Sequence, residues 1–303
     1  MLATRTAATR IAETQAGRSL WADARRRFLR NRAALTGLIV LGLVAAFALI
    51  GPAVAPWNYE DIDWGVLGQV ETMGRPSLAS GHWFGTDPLG RDLFARTMQG
   101  TQVSLMVGIV GALIAVTVGT LYGAIAGYFG GRVDDIMMRV VDVLMSIPYM
   151  FVLILLLVVF GRSMFMLFLG IGLISWLDMA RIARGQTMTL RGREFVEAAQ
   201  ATGVPPITII LRHIVPNLLG VVIVYATLLV PSMIIYESFI SFLGLGVQEP
   251  LTSWGALINE GAAEMASGTL WMLIFPLLFF VVTLFALFFV GDGLRDALDP
   301  KDR

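Results

Sequence analysis

Cysteine is absent from this 303-residue chain, which excludes disulfides, thiolate metal sites and thiol nucleophiles. Lysine occurs once, at Lys301, directly after Pro300. A Walker A loop needs a Gly-Lys pair against the nucleotide phosphates, so the chain has no such loop and hydrolyses no ATP by that route. Any such energy source would be a separate subunit. Histidine occurs twice, at His82 and His213, and no ligand-spaced cluster surrounds either, so no metal site is expected. Ser104, Ser175 and Ser232 have no histidine close enough in sequence to suggest a triad, and such residues in apolar helices more often pack against neighbours. Charge is scarce too: 15% of residues are charged, against about 25% in a typical soluble domain.

What fills the space is apolar. Hydrophobic residues make up 56% of the chain, and the mean hydropathy is +0.75. This balance predicts an all-α, polytopic membrane protein. Six stretches reach the roughly 20 apolar residues that a bilayer requires: 34–55, 103–128, 137–160, 163–180, 218–243 and 271–290. Only Gly161, Arg162 and Ser163 separate the third from the fourth, so these two must lie antiparallel. Segments 1–33, 129–139, 181–217 and 291–303 carry 18 of the 22 basic residues. The positive-inside rule therefore places both termini in the cytoplasm and loops 56–102 and 244–270 outside. Loop 244–270 has Glu249, Glu260 and Glu264 and no basic residue.

The N-terminal segment 1–33 lacks the short apolar core and cleavage site of a signal peptide. Its first 15 residues are expected to be mobile. "SLWADARRRFLRNRAAL" then sets Trp21, Ala24, Phe28 and Leu35 on one stripe, with arginines around the rest. That pattern predicts an interfacial helix over 19–34 that runs into the first span. The outer loop 56–102 opens with interfacial aromatics, Trp57, Tyr59 and Trp64. Asp87-Pro88 reads as the cap and first turn of a short helix, with Gly100 as its stop.

Within the spans, Pro148, Pro231 and Pro276 favour kinks. Gly119, Gly123 and Gly127 form a small-residue packing face, which implies tight packing without naming a partner. Asp178 with Arg181, Arg139 with Asp142 and Asp135 with Arg139 have the spacing to neutralise one another along a helix. Pro231, Ser232 and Glu237 are the candidates for a translocation path or gate. A carboxylate inside a membrane marks a pathway by default. About 30 Å of helix separates Asn217 from Glu237, however, which brings Glu237 to the outer interface and favours a solvated helix end.

The most informative stretch is "EFVEAAQATGVPPITIILRHIVPN", residues 194–217. Phe195, Ala199 and Thr202 fall on one side of its first helix, with Glu194 and Glu197 on another. Gly203 is a natural stop, Pro205 and Pro206 suit the first turn of a second helix, and Ile207, Ile210, Leu211 and Ile214 form that helix's apolar stripe. Two short helices at an angle would thus present acids and small alanines to the cytoplasm. The 37 residues of 181–217 exceed what a passive connection needs.

The spacing Glu197-Ala198-Ala199, then Gly203, then Pro216 resembles the EAA loop of permease subunits in bacterial ABC importers. "HWFGTDPLGRDLFAR", "ESFISFLGLGVQEPLTSWG", "GDGLRDALDPKDR" and "RSLWADARRRFLRNRAA" extend the similarity to nearly the whole chain, toward the C-type permease of oligopeptide importers. His213 stands where many members have isoleucine, a variant typical of the peptide branch. The resemblance implies a type I ABC importer permease fold in the bacterial inner membrane, with a core of 103–290. It implies a coupling loop, carried by Glu194, Glu197, Ala198, Ala199, Gly203 and Pro216, that docks on an ATPase. It further implies a non-catalytic subunit, a homologous B-type permease as partner, two ATPase subunits that bind ATP and Mg, and a periplasmic or lipid-anchored peptide-binding protein, with no nucleic acid. Dipeptides, murein peptides or nickel are alternative cargoes. An ion-coupled secondary transporter is the alternative of another class, but it predicts midplane charges and an inverted repeat that the sequence lacks.

Overall fold

A computed structural model describes residues 20–298; the expectation of mobility for the first 15 residues falls outside them. Helix α1 (Leu20–Arg30) turns Ala24 inward and leaves Arg25 and Arg26 exposed. It stops short of the expected 34 because Asn31 leaves the helical conformation. The Asn31 carboxamide accepts from the Ala34 backbone N–H and so caps α2 (Arg32–Val54), the first span. A single turn, α3 (Val70–Met73), lies in the outer loop. Helix α4 (Leu93–Phe129) is one continuous rod of 37 residues, about 55 Å at 1.5 Å each. Its cap is Asp92, whose Oδ1 accepts from Ala95 N at 2.8 Å. The reading of Asp87 as the cap is thus corrected. Asp87 instead folds the preceding turn by accepting from the backbones of Leu89 and Arg91. Gly100 ends nothing; it lies mid-helix, where a Cβ would meet the backbone of Ser253 and Trp254.

The third expected span, 137–160, is two helices. α5 (Gly131–Met145) and α6 (Tyr149–Phe160) meet at 79° across Ser146, Ile147 and Pro148. Pro148 offers no N–H to the turn before it and disfavours helix at Ile147, so the kink becomes a break. α7 (Met164–Arg191) returns antiparallel to α6, with Leu153 and Leu157 in one cluster with Leu167 and Ile171. It continues eleven residues beyond the expected end at 180, carrying the chain about 16 Å past the apolar zone. There follow α8 (Glu194–Ala201), α9 (Pro206–Ile209), a π-helical turn (Ile210–Ile214) and α10 (Val215–Phe242). α11 (Trp254–Ala263) lies in the second outer loop, and α12 (Trp271–Leu298) is the last span. Among the described residues, five helices are long and apolar enough to cross a membrane, and the bent α5–α6 pair, taken as one span, is the sixth.

The interior is organised by α4 packed along α7. A Cβ on Gly119, Gly123 or Gly127 would lie 2.5, 2.2 and 2.7 Å from the carbonyl oxygens of Trp176, Ala180 and Arg184. Glycines one turn apart on α4 thus face carbonyls one turn apart on α7, which identifies the partner of the small-residue face as this chain's own helix.

On the outer side, charges stitch the two loops together. Arg96 forks onto Glu260 at 2.6 and 3.0 Å and also meets Asp87 at 2.6 Å. Arg91 joins Asp87 at 2.7 Å to Glu249 at 2.8 Å. The Arg91 hydrogen bond holds the Glu249 carboxyl below the usual range. His82, fully buried, lies between Asp92 at 2.9 Å and Asp63 at 3.2 Å, and stacks on Trp57. Burial pushes the Asp92 carboxyl up, against the opposing pull of the Ala95 N–H and His82. The acidic second loop is therefore not merely solvated: two of its three glutamates answer arginines of the first.

Candidate functional site: inner hairpin, central cavity and buried carboxylate

The inner hairpin is built from its turn outward. Gly203, at φ +78°, ends α8 in the left-handed conformation. Its N–H bonds to the Gln200 carbonyl, and the Val204 N–H reaches back to the Ala199 carbonyl. This pairing is the Schellman arrangement, and Val204 and Ala199 belong to the same apolar cluster, as that motif favours. Val196 and Ala199, one turn apart, are buried with Ile209, Ile210 and Ile214 against Ala124, Met179 and Ala183. The Gln200 carboxamide donates to the Tyr128 hydroxyl at 3.3 Å.

That packing sets the helix phase and corrects two expectations. Phe195 is 42% exposed, and Ile207 and Leu211 are about half exposed, so the inward stripe of the second helix is Ile209, Ile210 and Ile214. Glu194, Phe195, Glu197 and Ala198 face outward, whereas Ala199 is buried. The second helix is also not a separate piece. It passes through the π turn directly into α10, with Pro216 exposed in the first turn. Pro216 has no N–H for the carbonyl four residues back, and the wide turn just upstream accommodates that loss. Asn217 Nδ2 donates to the His213 carbonyl at 2.6 Å. The visible role of His213 thus lies in its backbone.

The charged pairs expected along single helices form between helices instead. Arg184 of α7 forks onto Asp134 of α5 with both contacts at 2.5 Å. Arg181 meets Asp142 at 2.6 Å. Long arginine side chains reach the neighbouring helix because α5 and α7 lie side by side at their inner ends; sequence spacing alone did not single out Arg184.

Above these pairs lies a cavity of about 420 Å³, walled by the Pro148 break, α7 and α10. Tyr149, Ser175, Asp178, Tyr225, Ser232 and Tyr236 give it polar edges, and the Tyr149 and Tyr236 rings pack at 4.4 Å. Of the three path candidates, only Ser232 lines it. Pro231 is buried within α10, which runs through it as continuous helix.

Glu237 departs furthest from expectation. It is fully buried, not a solvated helix end. Oε2 accepts from Ser104 at 2.9 Å and Ser238 at 3.3 Å, and Oε1 accepts from Ser241 at 2.6 Å. Ser104 Oγ in turn accepts from the Trp254 backbone N–H, while the Trp254 indole donates to Thr101. One carboxylate therefore joins α10, α4 and the outer helix α11. Its serines lie far apart in sequence, and only their convergence in space gives them meaning.

Apolar spans around a polar-edged cavity, with a helical hairpin projecting from the arginine-rich end, define a multi-pass membrane permease. The chain belongs to the family of binding-protein-dependent transport system inner membrane components, whose model matches residues 119–303. A second model, the N-terminal TM domain of oligopeptide transport permease C, matches residues 19–68. The oligopeptide transport system permease protein OppC of Haemophilus influenzae is 54% identical over 98% of this chain and 94% of its own length. The protein of that name from Escherichia coli K12 is 58% identical over 95% and 93%. Among solved structures, a chain of the inward-facing MetNI methionine ABC transporter shares the fold, with a TM-score of 0.52 and 19% identity over 67% of this chain and 96% of that one.

Proposed function

We propose that this chain forms half of the transmembrane path of an ATP-driven oligopeptide importer. The reading is carried by identity above half, along nearly the full length, to two oligopeptide permeases. The other half of the path would be a homologous B-type permease. Two ATPase subunits would bind ATP and Mg, and a periplasmic or lipid-anchored binding protein would deliver the peptide. The chain itself catalyses no bond change; it supplies a route that opens to alternate sides.

Hairpin 194–217 is the drive contact in this proposal. Its support is the outward face of α8, where Glu194, Glu197 and Ala198 stand free of the fold while Val196 and Ala199 anchor it. Small and acidic side chains on a rigid, capped helix suit insertion into a groove of a partner. ATP-driven closure of the ATPases would move this helix, and α7 and α10, on either side of it, would carry the motion to the cavity. Pro231, Ser232 and Glu237 are assigned to the moving span, with Ser232 on the path.

The test replaces Gly203 with valine and, separately, Glu197 with arginine. A β-branched residue at φ +78° strains the turn although space is open there. Both variants are expected to insert, to lose ATPase co-purification and to lose uptake of a labelled pentapeptide. Inserted variants with both properties intact would remove the docking assignment. Competition by unlabelled dipeptide as strong as by pentapeptide would reassign the cargo.

A further inference from the structure

A second cavity, of about 570 Å³, opens at the outer end of α2 and shares no lining residue with the central one. Pro56, Trp57, Tyr59, Asp61, Gln99 and Gln102 line it. Gln99 is only 6% exposed, and its Oε1 has no hydrogen-bond partner. The pull of Glu60, then burial, raises the pKa of Tyr59. Gln99 Oε1 is thus a bare, buried acceptor on the wall of the cavity. Gln102 is already committed, donating to the Ala48 carbonyl at 2.5 Å. Among the described residues, neither Glu60 nor Asp61 enters an ion pair.

A bare acceptor, the Asp61 carboxylate and two aromatic rings select a cation that carries N–H donors. The depth selects its source. Leu49, Ile50 and Val54, just inward of the cavity on α2, are 76%, 61% and 62% exposed, as lipid-facing residues are. The chain turns aromatic and polar directly above them, which is headgroup level. We propose that this cavity binds the primary ammonium of an ethanolamine phospholipid in the outer leaflet. Gln99 Oε1 and Asp61 accept its hydrogens, and the Trp57 and Tyr59 rings border it. A choline headgroup carries the same charge but has no hydrogen for Gln99, and a glycerol headgroup brings no cation for Asp61. The free ammonium of a peptide has the right chemistry, but it reaches the chain from water and not from the lipid flank of α2.

The inference depends on membrane placement and not on the oligopeptide reading. Native mass spectrometry of the full-length chain, purified in detergent and titrated with phosphatidylethanolamine, phosphatidylcholine, phosphatidylglycerol or a free tripeptide, tests it. Retention of the ethanolamine lipid should exceed that of the choline lipid by roughly tenfold, the worth of one charge-assisted hydrogen bond. Gln99→Leu should bring it down to the choline level, and Asp61→Asn, on the exposed loop, should weaken it without touching the buried packing. Equal retention of the two lipids, ethanolamine binding undiminished in both variants, or displacement of the lipid by tripeptide would each overturn the proposal.

Discussion

At the scale of single residues, Glu237 is the position where chemistry and placement contend. A buried carboxylate is costly unless hydrogen-bonded, and here three hydroxyls supply the bonds. The depth expected from the sequence, close to the outer end of its span, agrees with its place five residues before the end of α10. The expected solvation does not hold, because α11 folds over it. Glu237→Gln keeps one acceptor oxygen, and serine hydroxyls can turn to accept from the new NH2, so it should be tolerated. Glu237→Leu strands Ser104 and Ser241 in a buried site, at about 1–3 kcal/mol for each unsatisfied group. Thermal unfolding of the purified variants should show the leucine protein clearly less stable than the glutamine protein. Equal melting temperatures would remove the structural role assigned to this cluster.

Elements show how far the sequence carries and where it stops. Five of the six expected spans are single helices and the sixth is the bent α5–α6 pair; they were legible because roughly 20 apolar residues in a row have few other uses. The Pro148 break was legible in kind, since proline's missing N–H acts locally, but not its 79°. The extension of α7 to Arg191 was not legible from hydropathy, which ends where the polar residues begin, although a helix does not. Asp87 was read as the cap that Asp92 turned out to be; Asp87 is engaged by Arg91 and Arg96, whose further pairs reach the second outer loop, and those contacts are tertiary. In the hairpin, Gly203 and the proline pair gave the turn, while the rotation of α8 awaited its neighbours. The glycine face of α4 gave packing without a partner, and α7 now supplies one. Gly123→Ala would put a Cβ 2.2 Å from the Ala180 carbonyl, forcing the helices apart at a cost of about 1–3 kcal/mol. Gly185→Ala, on α7 with open space around it, is the matched control. Denaturation in detergent should separate the two, with only the first destabilised; equal behaviour would mean that α4 and α7 do not pack this closely.

For the whole molecule, the question is how a push on the hairpin reaches the cavity. Two routes leave α8: the π turn into α10, which walls the cavity with Tyr225, Ser232 and Tyr236, and α7, which walls it with Ser175 and Asp178. The third wall, at the Pro148 break, joins α7 through the chain only at the far end of α6, across Gly161–Ser163. Its inner arm, α5, has only Asp134 and Val141 buried, so apolar packing holds it weakly to the rest. The Arg184–Asp134 fork and the Arg181–Asp142 pair are what fasten it to α7. Planar, bidentate pairing transmits orientation as well as charge. Asp134 is buried, whereas Arg181 and Asp142 are both about half exposed, so the Arg184 fork should dominate. Arg184→Gln should therefore leave insertion and partner assembly intact while uncoupling ATP hydrolysis from peptide uptake. A residue of this kind, touching neither ligand, modulates coupling by about 0.5–2 kcal/mol, roughly a twofold to thirtyfold loss of peptide moved per ATP. Reversing the pair, Asp134→Arg with Arg184→Asp, should restore part of the loss, while each single reversal should be worse than Arg184→Gln. The ratio of uptake to hydrolysis in reconstituted vesicles measures this directly. An unchanged ratio in Arg184→Gln, with protein levels matched, would show that the third wall moves without the strut.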